Sequence, residues 1–178
     1  MNRRTFIAAL TLTPVVARIP GPESVWPHAE RRFRLVRSTD HDSWIQVEVQ
    51  LALTERAARG LRNREAHDPF DGLVGEFYID DSHPVEIPGH LPGTLMTYET
   101  IVGVAAARGV IHTGGFRRGR YVWTVRVGGD VSWAIEVAEW IAALELPDEA
   151  RVRLAPDLLE TLLPTEDDLS IDVRIDES

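Results

Sequence analysis

A chain of 178 residues is ordinary for one domain, and its 28 acidic against 19 basic side chains leave a formal net charge of −9. Every basic residue is arginine, and the acidic surplus opposes binding to nucleic acid or to an anionic bilayer. The absence of cysteine removes disulfides, thiolate nucleophiles, lipid-anchored cysteines and His-Cys-Met copper sites, so the fold must hold by core packing.

The first stretch, MNRRTFIAALTLTPVVARIPGPE, places Arg3 and Arg4 ahead of an apolar run interrupted by Thr11, Thr13 and Pro14. A basic start, a short apolar centre and small residues at Val15-Val16-Ala17 form the layout of a secretory signal, with cleavage expected after Ala17. The run has roughly half the ~20 residues that a bilayer-spanning helix needs, so no permanent span is expected. A buried terminal helix is the competing reading, but only threonines and a proline break the apolar run, which leaves no polar face.

Asn-Arg-Arg-Thr-Phe-Ile resembles the twin-arginine (Tat) export motif, in which an arginine pair precedes a spacer and then apolar residues. The resemblance implies that Arg3 and Arg4 are the export motif, that the Tat translocase is a partner during export, and that the mature chain is extracytoplasmic. Cleavage would take two arginines and no acid, moving the net charge from −9 to −11. Tat export, absent lysine and acidic surplus together resemble exported proteins of halophilic archaea, with a GC-rich bacterial genome as the other source of such a composition.

Residues 18–32 read as a Pro-rich lead and residues 33–178 as a single domain. RRFRLVRSTDHDSWIQVEVQLAL predicts two strands round a polar turn, because Ile45, Val47, Val49, Leu51 and Leu53 alternate with Gln46, Glu48 and Gln50. In TERAARGLRNREAHDPFDG, Thr54 is a candidate N-cap for a short helical turn that Gly60 weakens, followed by a loop. Asp68 to Gly72 lacks the alternating ligands of a calcium loop and reads as a turn.

LVGEFYID reads as a strand, DSHPVEIPGHLPG as a loop, and TLMTYETIVGVAA and GVIHT as further strands. GRYVWTVRVGGDVSWAIEV predicts a hairpin with Gly128 to Asp130 as its loop. That register would set Val127 against Val131, Val125 against Trp133 and Trp123 against Ile135, gathering one apolar face. Strand to Val137 and helix after it is the preferred reading. A single helix over 131–145 competes, since Trp133, Val137, Trp140, Ile141 and Leu144 also fall at helical spacing. ARVRLA, a short helix at PDLLETLL and a last strand at LSIDVRI close the chain.

About eight short strands predict an all-β fold, a β-sandwich with a few short helices. GRYVWTV resembles the tyrosine corner of immunoglobulin-like sandwiches: Tyr121 stands two residues before Trp123, where antibody domains place a cysteine. The resemblance covers one strand and implies architecture, not activity.

His83, His90 and His112, with Asp80 and Asp81 nearby, would form a metal centre only if three or four such groups converged. Neither HxH nor HExxH spacing is present, and no cofactor is expected. Ser24, Ser38, Ser43, Ser82, Ser132 and Ser170 lack the GxSxG elbow of a nucleophile. Asp80 and Asp81 are adjacent rather than opposed across a cleft, as glycoside hydrolysis would require.

Arg117, Arg118 and Arg120, beside Phe116 and Tyr121, form a basic cluster suited to a carboxylate or sulfate of a surface glycan or protein partner, or else a solvated turn. Trp26, Trp44, Trp123, Trp133 and Trp140 could line a sugar platform, although Trp123 and Trp133 fit a core. The expectation is an exported, non-catalytic binding or structural module at or outside the cell surface. The alternative is a small exported hydrolase or metal-dependent enzyme using the loop histidines and aspartates.

Overall fold

The structure is a computed structural model that describes residues 27–35, 43–66, 77–102 and 107–176. The expected signal at 1–17 with Arg3 and Arg4, the turn at 68–72, and Trp26, Ser24 and Ser38 lie outside the described residues.

The elements in chain order are β1 (His28–Leu35), β2 (Trp44–Leu51), α1 (Glu55–Ala66), β3 (Phe77–Val85), β4 (Gly93–Val102), β5 (Ala107–Arg118), β6 (Tyr121–Gly128), α2 (Val131–Ala143), α3 (Glu149–Leu154), two 3₁₀ segments (Pro156–Leu162 and Glu166–Asp168) and β7 (Val173–Ile175). The fold is all-β with a few short helices. Among the described residues the seven strands make one antiparallel sheet in the order β3-β4-β5-β6-β2-β1-β7, so helices, rather than the second sheet of a sandwich, cover its faces. β1 starts at His28, taking in the end of the Pro-rich lead.

The alternation in β2 builds the core directly. Ile45 pairs with Phe33 and Val127, Val47 with Val125, Val49 with Trp123 and Leu51 with Tyr121, so one face is a continuous apolar surface. On it pack Ala134, Val137, Ala138 and Ile141 of α2, Val152 of α3, and Leu159 and Leu162 of the first 3₁₀ segment. Trp123 fastens that layer by donating its ring N–H to the Leu162 carbonyl at 2.9 Å. Leu53 lies past the strand end and is 55% exposed.

The opposite face is capped by α1, whose Ala58 and Leu61 pack on Ala52 and Val122. Thr54 serves as the N-cap, its hydroxyl accepting from the Ala57 N–H at 3.1 Å, and the helix runs well beyond a single turn. It lies so close to the sheet that a Cβ on Gly115 would stand 2.2 Å from the Arg62 carbonyl oxygen.

The hairpin expected at Gly128 does not form. α2 begins at Val131, with Asp130 as N-cap accepting from the Ser132 N–H at 2.9 Å, while Val125 pairs with Val47 and Gly114. Ala134, Val137, Ala138 and Ile141 recur at i, i+3, i+4 and i+7, a helical stripe that buries fully, whereas the alternating set Val131, Trp133 and Ile135 stays partly exposed. The tight hairpin lies earlier, between β5 and β6, where Arg118 faces Tyr121 across Gly119-Arg120. Gly119 takes φ +61 there, a conformation glycine adopts without steric cost.

One further segment differs from expectation. β3 runs on through residues 81–85, the start of the stretch read as a loop rich in Pro and Gly; at the sheet edge Pro84 removes no interior ladder bond. ARVRLA is α3, started by Asp148, which accepts from the Ala150 and Arg151 N–H groups at 2.8 and 3.3 Å. The tyrosine corner is not built either: the Tyr121 hydroxyl donates to the Pro147 carbonyl at 3.0 Å, tying β6 to the α2–α3 connection. Among the described residues no helix is long and apolar enough to cross a membrane.

Candidate functional site

Of the three histidines, two share a row. His83 pairs with Thr97 and Thr97 with His112, across β3, β4 and β5. His83 is exposed, while His112 is buried with both ring nitrogens engaged: Nδ1 lies 2.9 Å from Thr97 Oγ1 and Nε2 lies 3.0 Å from the Gly129 carbonyl. A carbonyl only accepts, so Nε2 carries the proton and Nδ1 accepts from the threonine. Burial pushes the His112 pKa below its ordinary value, against smaller upward effects from the Gly129 carbonyl and Asp130. His90 stands apart, 4.0 Å from Glu139, and Asp80 and Asp81 are exposed on β3. Among the described residues no three His, Asp or Glu side chains come together as a metal cluster.

The basic cluster is committed to structural contacts. Arg118 Nη1 donates to the Ile141 and Leu144 carbonyls at 2.9 and 2.5 Å, satisfying the C-terminal end of α2 and placing a cation at its negative pole. Arg120 Nη1 donates to the Leu53 carbonyl at 2.8 Å, and its Nε and Nη2 both reach Glu149 in the first turn of α3. Arg117 donates to the Gly119 carbonyl of its own turn, at 3.2 Å. The β5–β6 turn is therefore a strut between helices. Trp123 is fully buried in the core, and Trp133 and Trp140 pack against it from α2.

Trp44 has a different setting. The β1–β2 register sets Arg34 opposite Trp44 and Arg32 opposite Gln46, and the strand period puts all four on the face away from the apolar core. With Asp176 they line an open groove of about 190 Å³. Arg34 Nε lies 2.8 Å from Asp176 Oδ2, and Arg32 Nε lies 2.8 Å from Glu30 Oε1, which also accepts from Gln46 Nε2 at 3.0 Å. A half-buried indole thus stands beside two guanidinium–carboxylate pairs and an amide. Such a set offers donors and acceptors side by side without net charge, which suits hydroxyl groups better than a free anion. Trp44 was identifiable from sequence; Arg32, Arg34 and Gln46 were not singled out, because polar residues alternating along a strand are equally the mark of a solvated face.

No family model and no curated protein matches the chain. Among solved structures it is similar to a protein of unknown function, PA94, from Pseudomonas aeruginosa, at 8% identity and a TM-score of 0.34 over 68% of this chain and 85% of that one, too distant a likeness to bear on the site.

Proposed function

We propose that the protein is an exported, non-catalytic binding module that holds a surface glycan in the groove beside Trp44. The observation behind this reading is the convergence of the indole of Trp44 with Arg32, Arg34, Gln46 and Asp176. An indole face takes the apolar face of a sugar ring, and paired guanidinium and carboxylate groups exchange hydrogen bonds with neighbouring hydroxyls. Because each arginine already faces a carboxylate, the ligand class is a neutral sugar rather than the acidic one the arginine turn would take. Export through the twin-arginine route places the module outside the cytoplasm, where such a ligand is found.

Titration of the purified full chain with neutral and uronic-acid oligosaccharides, by calorimetry, tests the reading. Binding of a neutral oligosaccharide that weakens at least about tenfold in Trp44→Ala, on the order of 1.4 kcal/mol, with thermal stability retained, is the expected outcome. Absence of binding across the panel, or binding that Trp44→Ala leaves intact, overturns it. Arg3→Lys with Arg4→Lys should hold the precursor inside the cell, and normal export of that variant removes the export half of the proposal.

A further inference from the structure

The groove beside Trp44 does not end at Asp176. A second, larger groove of about 430 Å³ adjoins it, lined by Glu30, Arg31, Arg32, Ile175 and Asp176, so Arg32 and Asp176 belong to the walls of both. The junction is held by hydrogen bonds. The Asp176 N–H donates to the Arg32 carbonyl at 2.9 Å, and the Asp176 carboxylate accepts from Arg34 Nε at 2.8 Å. Glu30 links the grooves as well, accepting from Arg32 Nε and Gln46 Nε2 of the first while lining the second.

We propose that the two grooves are neighbouring subsites of one site, which takes a chain of neutral sugar residues instead of a single one; the inference rests on the glycan reading of the Trp44 groove. From Arg34, opposite Trp44, back to Glu30 the strand runs about 13 Å, more than one sugar ring spans. The second groove repeats the charge balance of the first. Glu30 pairs with Arg32, and Arg31 is held by Glu160 at 3.3 Å and by the Pro164 carbonyl at 2.7 Å, so the lining does not call for an anion. Ile175, 40% exposed, adds an apolar surface beside these polar groups. That mixture suits a sugar ring, which carries hydroxyls on its rim and C–H groups on its faces.

The β1–β7 register sets Ile175 opposite Phe33, on the core side of the sheet, while Asp176 follows opposite Arg32, on the outer side. The second groove therefore passes over the sheet edge where β7 ends, with Asp176 as its corner. Glycosidic links rotate, so a sugar chain can follow that corner. Joining the rings makes the second contact intramolecular, and it adds affinity without a second loss of translational and rotational freedom. Ile175 lies outside the core cluster, so shortening its side chain leaves the core intact.

The test is calorimetric titration of the full chain with glucose, galactose and mannose, each as its methyl glycoside and as chains of increasing length, repeated with Ile175→Ala and Trp44→Ala. The expected result is an affinity that rises at least about tenfold from the single ring to the longer chains and then levels off. Ile175→Ala should remove most of that gain while leaving single-ring binding within about twofold of the parent's. Trp44→Ala should weaken every length. Equal affinity for the single ring and the longer chains, or a gain that Ile175→Ala leaves intact, overturns the second subsite alone. Binding at no length in any series, or binding indifferent to Trp44→Ala, overturns the glycan reading and the second subsite with it.

Discussion

His112 is kept neutral by its position between Thr97 and Gly129, and that has a thermodynamic sign. Its folded-state pKa lies below the ordinary value of about 6.5 that it regains on unfolding, so the unfolded chain binds the proton more tightly. The contribution of His112 is fully present above the unfolded pKa and is lost as pH falls through the folded one. Asp130 and His83 modulate the shift in opposite directions, the first raising and the second lowering the pKa. Between pH 7 and 5 the parent should therefore lose more Tm than a His112→Gln variant, which keeps a donor and an acceptor but no titration. Parallel losses in the two proteins would show that His112 does not carry the dependence. The residue was visible in the sequence as a histidine at a strand end. Its partners were not, because Thr97 and Gly129 reach it only through strand pairing and through the turn into α2.

At the scale of elements, the approach of α1 to the sheet depends on one missing side chain. Gly115→Ala would drive a Cβ into the backbone carbonyl of Arg62, and since backbone cannot swing aside like a flexible side chain, α1 must lift from β5. Overpacking of this kind costs about 1–3 kcal/mol, so a Tm loss of roughly 2–12 °C is expected in a thermal melt. Gly60→Ala, where the added methyl meets nothing, should instead raise the Tm slightly by favouring the helix. Equal effects at the two positions would contradict the packing of α1. β1 and β2 were legible in the sequence because one buried and one polar face enforce a period of two. α2 was misread because its apolar residues satisfy both periods: Val131, Trp133, Ile135 and Val137 alternate, while Ala134, Val137, Ala138 and Ile141 make the stripe that is buried. The alanines decide the matter, and they are weak signals in a strand pattern. The groove was illegible for a related reason: Arg32, Arg34 and Gln46 acquire a role only when β1 and β2 set them round Trp44.

For the whole molecule, a net charge of −9 means that the folded state repels itself. Raising ionic strength from 0.01 to 1 M shortens the screening length from about 30 to about 3 Å, relieving that repulsion. Ion pairs such as Arg31–Glu160 and Arg34–Asp176 weaken too, but they are partly exposed and worth little singly. The Tm should therefore rise with potassium chloride, and a monotonic fall would show that the ion pairs outweigh the surplus. The all-β class was readable from the strand count, but the order of the strands was not, since it rests on pairings far apart in the chain. β1 is hydrogen-bonded on one side to its hairpin partner β2 and on the other to β7, with Arg34 and Asp176 joined across 142 positions. During synthesis the outer edge of β1 therefore stays open until Val173–Ile175 have been made, and closing so long a loop is entropically slow. In that interval the β7 segment of a neighbouring chain can dock on the waiting edge as well as the chain's own, so crowding of nascent molecules favours exchanged dimers over correctly closed monomers.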